Sequence, residues 1–186
     1  MPILPITAGS TVTKGAFVHL GSYTSDGTSA GTTFNNIPQN FQDLMIVTSG
    51  RAARAVTNEN LLMAPNVNVG NTNYSFLWLY GAGAGVGTIR FSDQGLYVAL
   101  DHFTGSTAPQ GVWASGVTHI LNYANSTTFK TIISRGSSEL ITSGETSLSV
   151  GLWRQTTAIT SIYAITYDVL VAGSKIDLYG IRRTGQ

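Results

Sequence analysis

Thr146-Ser147-Leu148-Ser149-Val150-Gly151-Leu152-Trp153 is the stretch on which the fold turns. Leu148, Val150 and Leu152 alternate with Ser147, Ser149 and Gly151, and a period of two belongs to a β-strand, since successive side chains along a strand point to opposite faces. The alternation predicts a strand with its leucine and valine side chains on a core. Its serines then face water or a small-residue contact.

Working outward from this segment, strands are expected over residues 16–22, 43–50, 61–69, 74–80, 95–101, 112–122, 129–135, 159–167 and 174–182. Turn chemistry separates them: Ser25-Asp26-Gly27, Val69-Gly70-Asn71, Gly105-Ser106, Gly136-Ser137 and Ala172-Gly173-Ser174. Such punctuation at intervals of about 8 to 12 residues points to an antiparallel sandwich or barrel, because βαβ units need helical stretches between strands. The one helical candidate, residues 51–63, has a weak stripe of Ala52, Ala53, Ala55, Leu61 and Leu62, and Thr57-Asn58 interrupts it. A loop or short turn is expected there. The reading is all-β: an antiparallel β-sandwich over residues 16–186, preceded by an extended N-terminal arm over residues 1–15.

Composition narrows the function. A chain of 186 residues is long enough to bury roughly 70% of its unfolded surface in one domain. Only 10% of its residues are charged, and ten Lys and Arg stand against nine Asp and Glu. A net charge of +1 supplies no field for a phosphate backbone, so no nucleic-acid partner is expected. No cysteine is present, which excludes disulfides, thiol catalysis and thiolate metal sites. No segment approaches the roughly 20 apolar residues of a membrane-spanning helix, and Met1-Pro2-Ile3-Leu4-Pro5-Ile6 lacks the regions of a signal peptide. A chain that neither spans a membrane nor is secreted by that route is expected. A surface of Ser, Thr, Asn and Gly with few charges suggests cover by neighbours, and thus an oligomer.

The residues that could carry chemistry do not assemble into a motif. His19, His102 and His119 lack helical metal-ligand spacing, and His119 alternates with Val117 and Leu121, as a structural histidine does. The acids are scattered over strand edges and turns, without the clustering of a calcium loop. No Gly-x-Ser-x-Gly elbow or phosphate loop occurs, so neither catalytic residues nor a metal or cofactor are expected. Gly81-Ala82-Gly83-Ala84-Gly85-Val86-Gly87 is rich in glycine, but Gly81, Gly83, Gly85 and Gly87 alternate strictly instead of following the G-x-G-x-x-G of a dinucleotide site. A flexible inter-strand loop is expected there, exposed or open to close approach by a neighbour. Tyr74, Phe76, Trp78 and Tyr80 share one side of a strand and are expected in a core or subunit interface ahead of a ligand platform. Asn73-Tyr74-Ser75 and Asn125-Ser126-Thr127 match the glycosylation sequon, which means little without a secretory signal.

Several blocks carry a resemblance. The segment Phe34-Asn35-Asn36-Ile37-Pro38-Gln39-Asn40-Phe41-Gln42-Asp43-Leu44-Met45-Ile46 resembles the F-x-x-I-P-Q-x-[YF]-x-D-L-x-[LIV] segment of tailed-bacteriophage virion proteins. Asn73-Tyr74-Ser75 with Leu79-Tyr80-Gly81, Ile120-Leu121-Asn122-Tyr123 before Phe129-Lys130-Thr131, and Gly151-Leu152-Trp153 with Thr157-Ala158-Ile159-Thr160-Ser161-Ile162 are similar to its later blocks, in order. Gly173-Ser174 and Leu178-Tyr179-Gly180-Ile181 resemble its closing strand. The resemblance implies a jelly-roll-like sandwich on the outer surface of a phage particle, as a head decoration or cement protein or as a tail or fibre module. The residues 81–87 and the arm before Ala16 depart from the pattern.

The expected function is a capsid decoration protein, a homotrimer that bridges major capsid subunits and makes many modest contacts at once. Ile3, Leu4 and Ile6 of the arm are the expected capsid or inter-subunit contact. The alternative is a tail-fibre or receptor-binding module that meets a host surface glycan, although the chain has no heptads for a coiled-coil shaft. A non-viral carbohydrate-binding module ranks third and an enzyme last.

Overall fold

The computed structural model describes residues 16–67, 73–94, 100–140 and 144–182. Its twelve strands are β1 (Phe17–Thr24), β2 (Gly31–Phe34), β3 (Asp43–Gly50), β4 (Asn58–Pro65), β5 (Tyr74–Ala82), β6 (Gly85–Gln94), β7 (Leu100–Thr104), β8 (Ala114–Ile120), β9 (Lys130–Glu139), β10 (Gly144–Trp153), β11 (Ile162–Ile165) and β12 (Lys175–Ile181). No helix occurs among the described residues. The strands form two antiparallel sheets, one of eight in the order β1-β12-β3-β8-β9-β10-β5-β6 and one of four in the order β2-β11-β4-β7.

The all-β sandwich expected from the periodicity is what the chain builds. Its core unit is the half-sheet β1-β12-β3-β8 set against β2-β11-β4-β7. Each half takes strands from the beginning, middle and end of the chain, as the double Greek key of a jelly roll does. The remaining four strands are two hairpins. β5–β6 lies in the chain between β4 and β7, and β9–β10 between β8 and β11. β9 pairs with β8, and β10 joins the hairpins by pairing with β5, so both extend the same sheet.

The larger sheet covers both faces of the smaller one. Leu61 and Met63 of β4 belong to the main core with Ile46, Phe103 and Leu178, whereas Leu62 between them packs with Phe76, Trp78, Phe91 and Ile165. Alternate residues of a strand face opposite ways. The near-continuous apolar run of β4 is thus explained by burial on both sides.

Three of the sequence blocks quoted above, residues 34–46, 120–123 and 157–162, meet at one place. Ile37 is buried, and the Tyr123 hydroxyl donates to the Pro38 carbonyl. The Gln39 amide donates to the carbonyls of Ile37 (2.7 Å) and Ile159 (3.0 Å), and the Ile159 N–H donates to the Tyr123 carbonyl (2.9 Å). Asp43 Oδ1 accepts the N–H of Asn122 at 2.7 Å, and Asn122 has a left-handed φ of 51°. Segments that lie far apart in the chain therefore form one hydrogen-bonded unit, which fixes how the strands enter the two sheets.

Three expectations need correction. β10 is a strand, but its polarity is reversed: Ser147, Ser149 and Trp153 are buried while Leu148 and Val150 face outward. The reason is packing, because β7 crosses over the inner side of β8, β9 and β10, where Gly116, Thr118, Ser134, Gly136 and Ser149 keep the surface low. Thr118 and Ser134 join their hydroxyls there at 2.8 Å. The second correction concerns residues 81–87, which are not a flexible loop but the ends of β5 and β6 around a two-residue turn, Gly83-Ala84. Gly83 has φ +57°, the left-handed value that a type II′ hairpin takes at its first position. The third is that β2 and β6 were not anticipated. The expected arm, residues 1–15, lies outside the described residues, as do positions 95–99 of the strand expected over 95–101.

Candidate interaction surface

The outward face of the added hairpins is apolar. Pairing places Arg135, Leu148, Leu79 and Thr88 side by side across β9, β10, β5 and β6. The next outward row is Ile133, Val150, Leu77 and Arg90. Leu77, Leu79, Leu148 and Val150 are 40–43% exposed, and Val86 near the hairpin tip is 91% exposed. Single exposed aliphatics are ordinary, but a contiguous apolar patch marks a contact surface.

This face has relief. A trough of about 830 Å³ runs over Leu79, Val86, Thr88, Arg135 and Leu148. It adjoins a second of about 400 Å³ over Val117, Arg135 and Ser137, and a third of about 370 Å³ lies over Leu77, Arg90 and Val150. Among the described residues neither Arg90 nor Arg135 is ion-paired. The face therefore offers aliphatic area and guanidinium donors together.

The four glycines singled out in the sequence sit at its edge. Gly81 and Gly85 flank the turn, and Gly87 lies opposite Tyr80. A Cβ on Gly87 would stand 2.5 Å from the Tyr80 ring, so this glycine exists to seat an aromatic on the inner side. Tyr80 continues inward to Trp78 at 5.1 Å between ring centroids. Tyr74 and Phe76 are buried and Trp78 and Tyr80 half-buried on the other side of β5 from Leu77 and Leu79, which take the outside. Ile3, Leu4 and Ile6 lie outside the described residues.

Beneath the face, polar groups tie the layers. His102 Nε2 on β7 lies 3.3 Å from Glu145 Oε1 on β10. Glu145 Oε2 accepts from the Asn58 amide at 2.9 Å, and Asn58 Oδ1 accepts from Ser138 at 2.9 Å. Burial pushes His102 down to about 4 and raises Glu145, against the lowering effect of the Asn58 hydrogen bond. Neither side chain lines the three troughs, so the pair joins the sheets from within.

The other histidines lie on the outer side of the larger sheet. His119 Nε2 stands 3.5 Å from Asp43 Oδ2. At the β1 edge His19 Nε2 lies 2.7 Å from Ser22 Oγ, whose hydroxyl donates to Asp177. Here the serine sits between the other two, whereas an activated serine needs the imidazole in the middle to take its proton. Residue spacing holds no sign of this grouping, because strand pairing alone brings Asp177 opposite Ser22. Among the described residues no three His, Asp or Glu side chains gather as metal ligands. The chain matches no protein-family model, no curated protein and no solved structure.

Proposed function

We propose that this chain is an external structural component of a tailed-bacteriophage particle, a self-associating decoration or cement protein that binds across neighbouring major capsid subunits. The observation that carries the reading is the outward face of β9, β10, β5 and β6, where Leu148, Val150, Leu77 and Leu79 are displayed on strands added beyond the jelly-roll unit. Aliphatics placed there contribute little to the chain's own core, and covering them would release their cost of hydration. The resemblance supports the same reading, since three of the blocks that carry it are joined by hydrogen bonds among Pro38, Gln39, Asp43, Asn122, Tyr123 and Ile159. The mechanism is contact multiplied: several modest interfaces, engaged together, hold far more tightly than any one. The arm with Ile3, Leu4 and Ile6 is proposed as the capsid contact.

Quantitative mass spectrometry of purified particles tests this by copy number. Hundreds of copies per particle are expected. A handful would move the protein to the tail, with the Gly81 to Gly87 hairpin as the element that meets a host glycan, and none would remove it from the virion.

A further inference from the structure

We propose that the outward face of β9, β10, β5 and β6 receives a second copy of this chain, face to face about a two-fold axis. The inference rests on the virion reading and names an occupant for the face that carries it, a two-fold pair in place of the homotrimer expected from the sequence. Its own support is the arrangement of that face.

Four aliphatics, Leu148, Leu79, Val150 and Leu77, form a square at its centre. The two arginines stand at opposite corners, Arg135 beside Leu148 on β9 and Arg90 beside Leu77 on β6. A two-fold contact is self-complementary, so each residue must tolerate the one that the axis places against it. With the axis along the strands between β10 and β5, Leu148 meets Leu79 of the second copy and Val150 meets Leu77. Arg135 then meets Thr88, and Arg90 meets Ile133. With the axis across the strands between the two rows, Leu148 meets Val150 and Leu79 meets Leu77, while Arg90 meets Thr88. Neither axis sets arginine against arginine. Both bring aliphatic to aliphatic at the centre and give a guanidinium a hydroxyl acceptor at the edge.

The size also fits. The four strands, 9 to 10 residues long, at about 4.8 Å spacing and 3.4 Å rise present roughly 600 Å² before side-chain relief is counted. A standard interface covers about 800 Å² per partner. The whole chain carries only +1, so long-range charge repulsion between two copies is small.

The test is the mass of the purified full chain in solution by light scattering at tens of micromolar, with Leu148→Asp and Leu79→Asp beside it and Phe17→Ser as a control at the far edge of the sheet. The expected result is twice the 19.7 kDa chain mass for the wild type and for the control. The two aspartate variants are expected to keep the far-ultraviolet circular dichroism of the wild type and to dissociate at least tenfold more readily. A monomeric or trimeric wild type overturns the proposal, and so does a folded aspartate variant that stays as dimeric as the wild type. If the aspartate variants fail to fold, the wild-type mass still decides. Copy number on the particle is a separate measurement, so a monomer in solution removes the self-association but not the placement on the particle, and a tail-like copy number leaves the dimer standing.

Discussion

The ring of Phe41 packs against Gly180 so closely that a Cβ there would stand 2.5 Å from Phe41 Cγ. Gly180 has no left-handed φ, so its glycine is required by space and not by conformation. The obstacle is the base of the ring, which cannot swing aside as the end of a long chain does. Gly180→Ala is therefore expected to cost about 1–3 kcal/mol through overpacking. Gly180→Ala combined with Phe41→Leu should recover part of that loss. Urea denaturation of the four members of the cycle checks it, and additive losses would show that the two positions do not meet.

Phe41 and Gly180 lie in segments far apart in the chain, and their contact shows how much of the fold is readable. The period of two along β10, the strands β3 and β12 and the turns between them follow from residue type alone. What periodicity cannot supply is its sign. Leu148 and Ser149 alternate whichever way the strand faces, and the choice is made by β7, a strand remote in sequence that needs a low surface to lie on. For the same reason the alternating glycines of 81–87 read as a loop. Gly87 is set by the Tyr80 ring and Gly83 by the turn, and neither constraint is visible until β5 and β6 are paired. The candidate surface is hidden for the same reason, because alternation alone sets Leu148 and Val150 toward the core.

Arg51 helps to hold the segment after β7 through its guanidinium, beside the bonds that Arg54, Val56, Thr57 and Thr104 make to it. Nη1 donates to the carbonyls of Pro109 (2.8 Å) and Val112 (3.3 Å), and Nη2 to those of Ser106 (3.0 Å) and Ala108 (2.7 Å). A planar fork can reach four acceptors where a single ammonium cannot. Arg51→Lys is expected to lose about 2 kcal/mol and Arg51→Met about 3 kcal/mol, on the scale of hydrogen bonds to a charged donor. Thermal denaturation reads the loss, and limited proteolysis should cut both variants first between residues 105 and 113. Unchanged cleavage there would show that the segment stands without the arginine.

His102 makes stability depend on pH in a defined direction. Burial holds its imidazole neutral down to about 4, whereas the unfolded chain protonates it near 6.5. Above about pH 6.5 both states are neutral and the residue contributes no slope. Between about 6.5 and 4 the unfolded chain binds a proton that the folded chain refuses, so stability falls by about 1.4 kcal/mol per pH unit, to at most about 3 kcal/mol. Glu145 acts the other way, since its raised carboxyl takes up a proton in the folded state first and offsets part of the fall. The urea midpoint is therefore expected to drop between pH 7 and pH 5. The drop should be shallower in His102→Gln and steeper in Glu145→Gln, and a His102→Gln profile that parallels the wild type would place the acid sensitivity elsewhere.

The reversed polarity of β10 predicts an unusual pair of outcomes. Leu148 points outward from the sheet and Ser149 inward, fully buried beneath β7. By sequence pattern alone, Leu148→Ser empties a core and Ser149→Val decorates a surface. By the structure the roles exchange. Ser149→Val adds volume where β7 already lies close and removes a buried hydroxyl, so it should cost about 1–3 kcal/mol. Leu148→Ser removes a half-exposed side chain and should cost the isolated chain under about 1 kcal/mol, measured by denaturation at a concentration low enough that self-association does not contribute. A larger loss for Leu148→Ser than for Ser149→Val under those conditions would mean that the leucines face the core after all, and the interaction surface would vanish with that result.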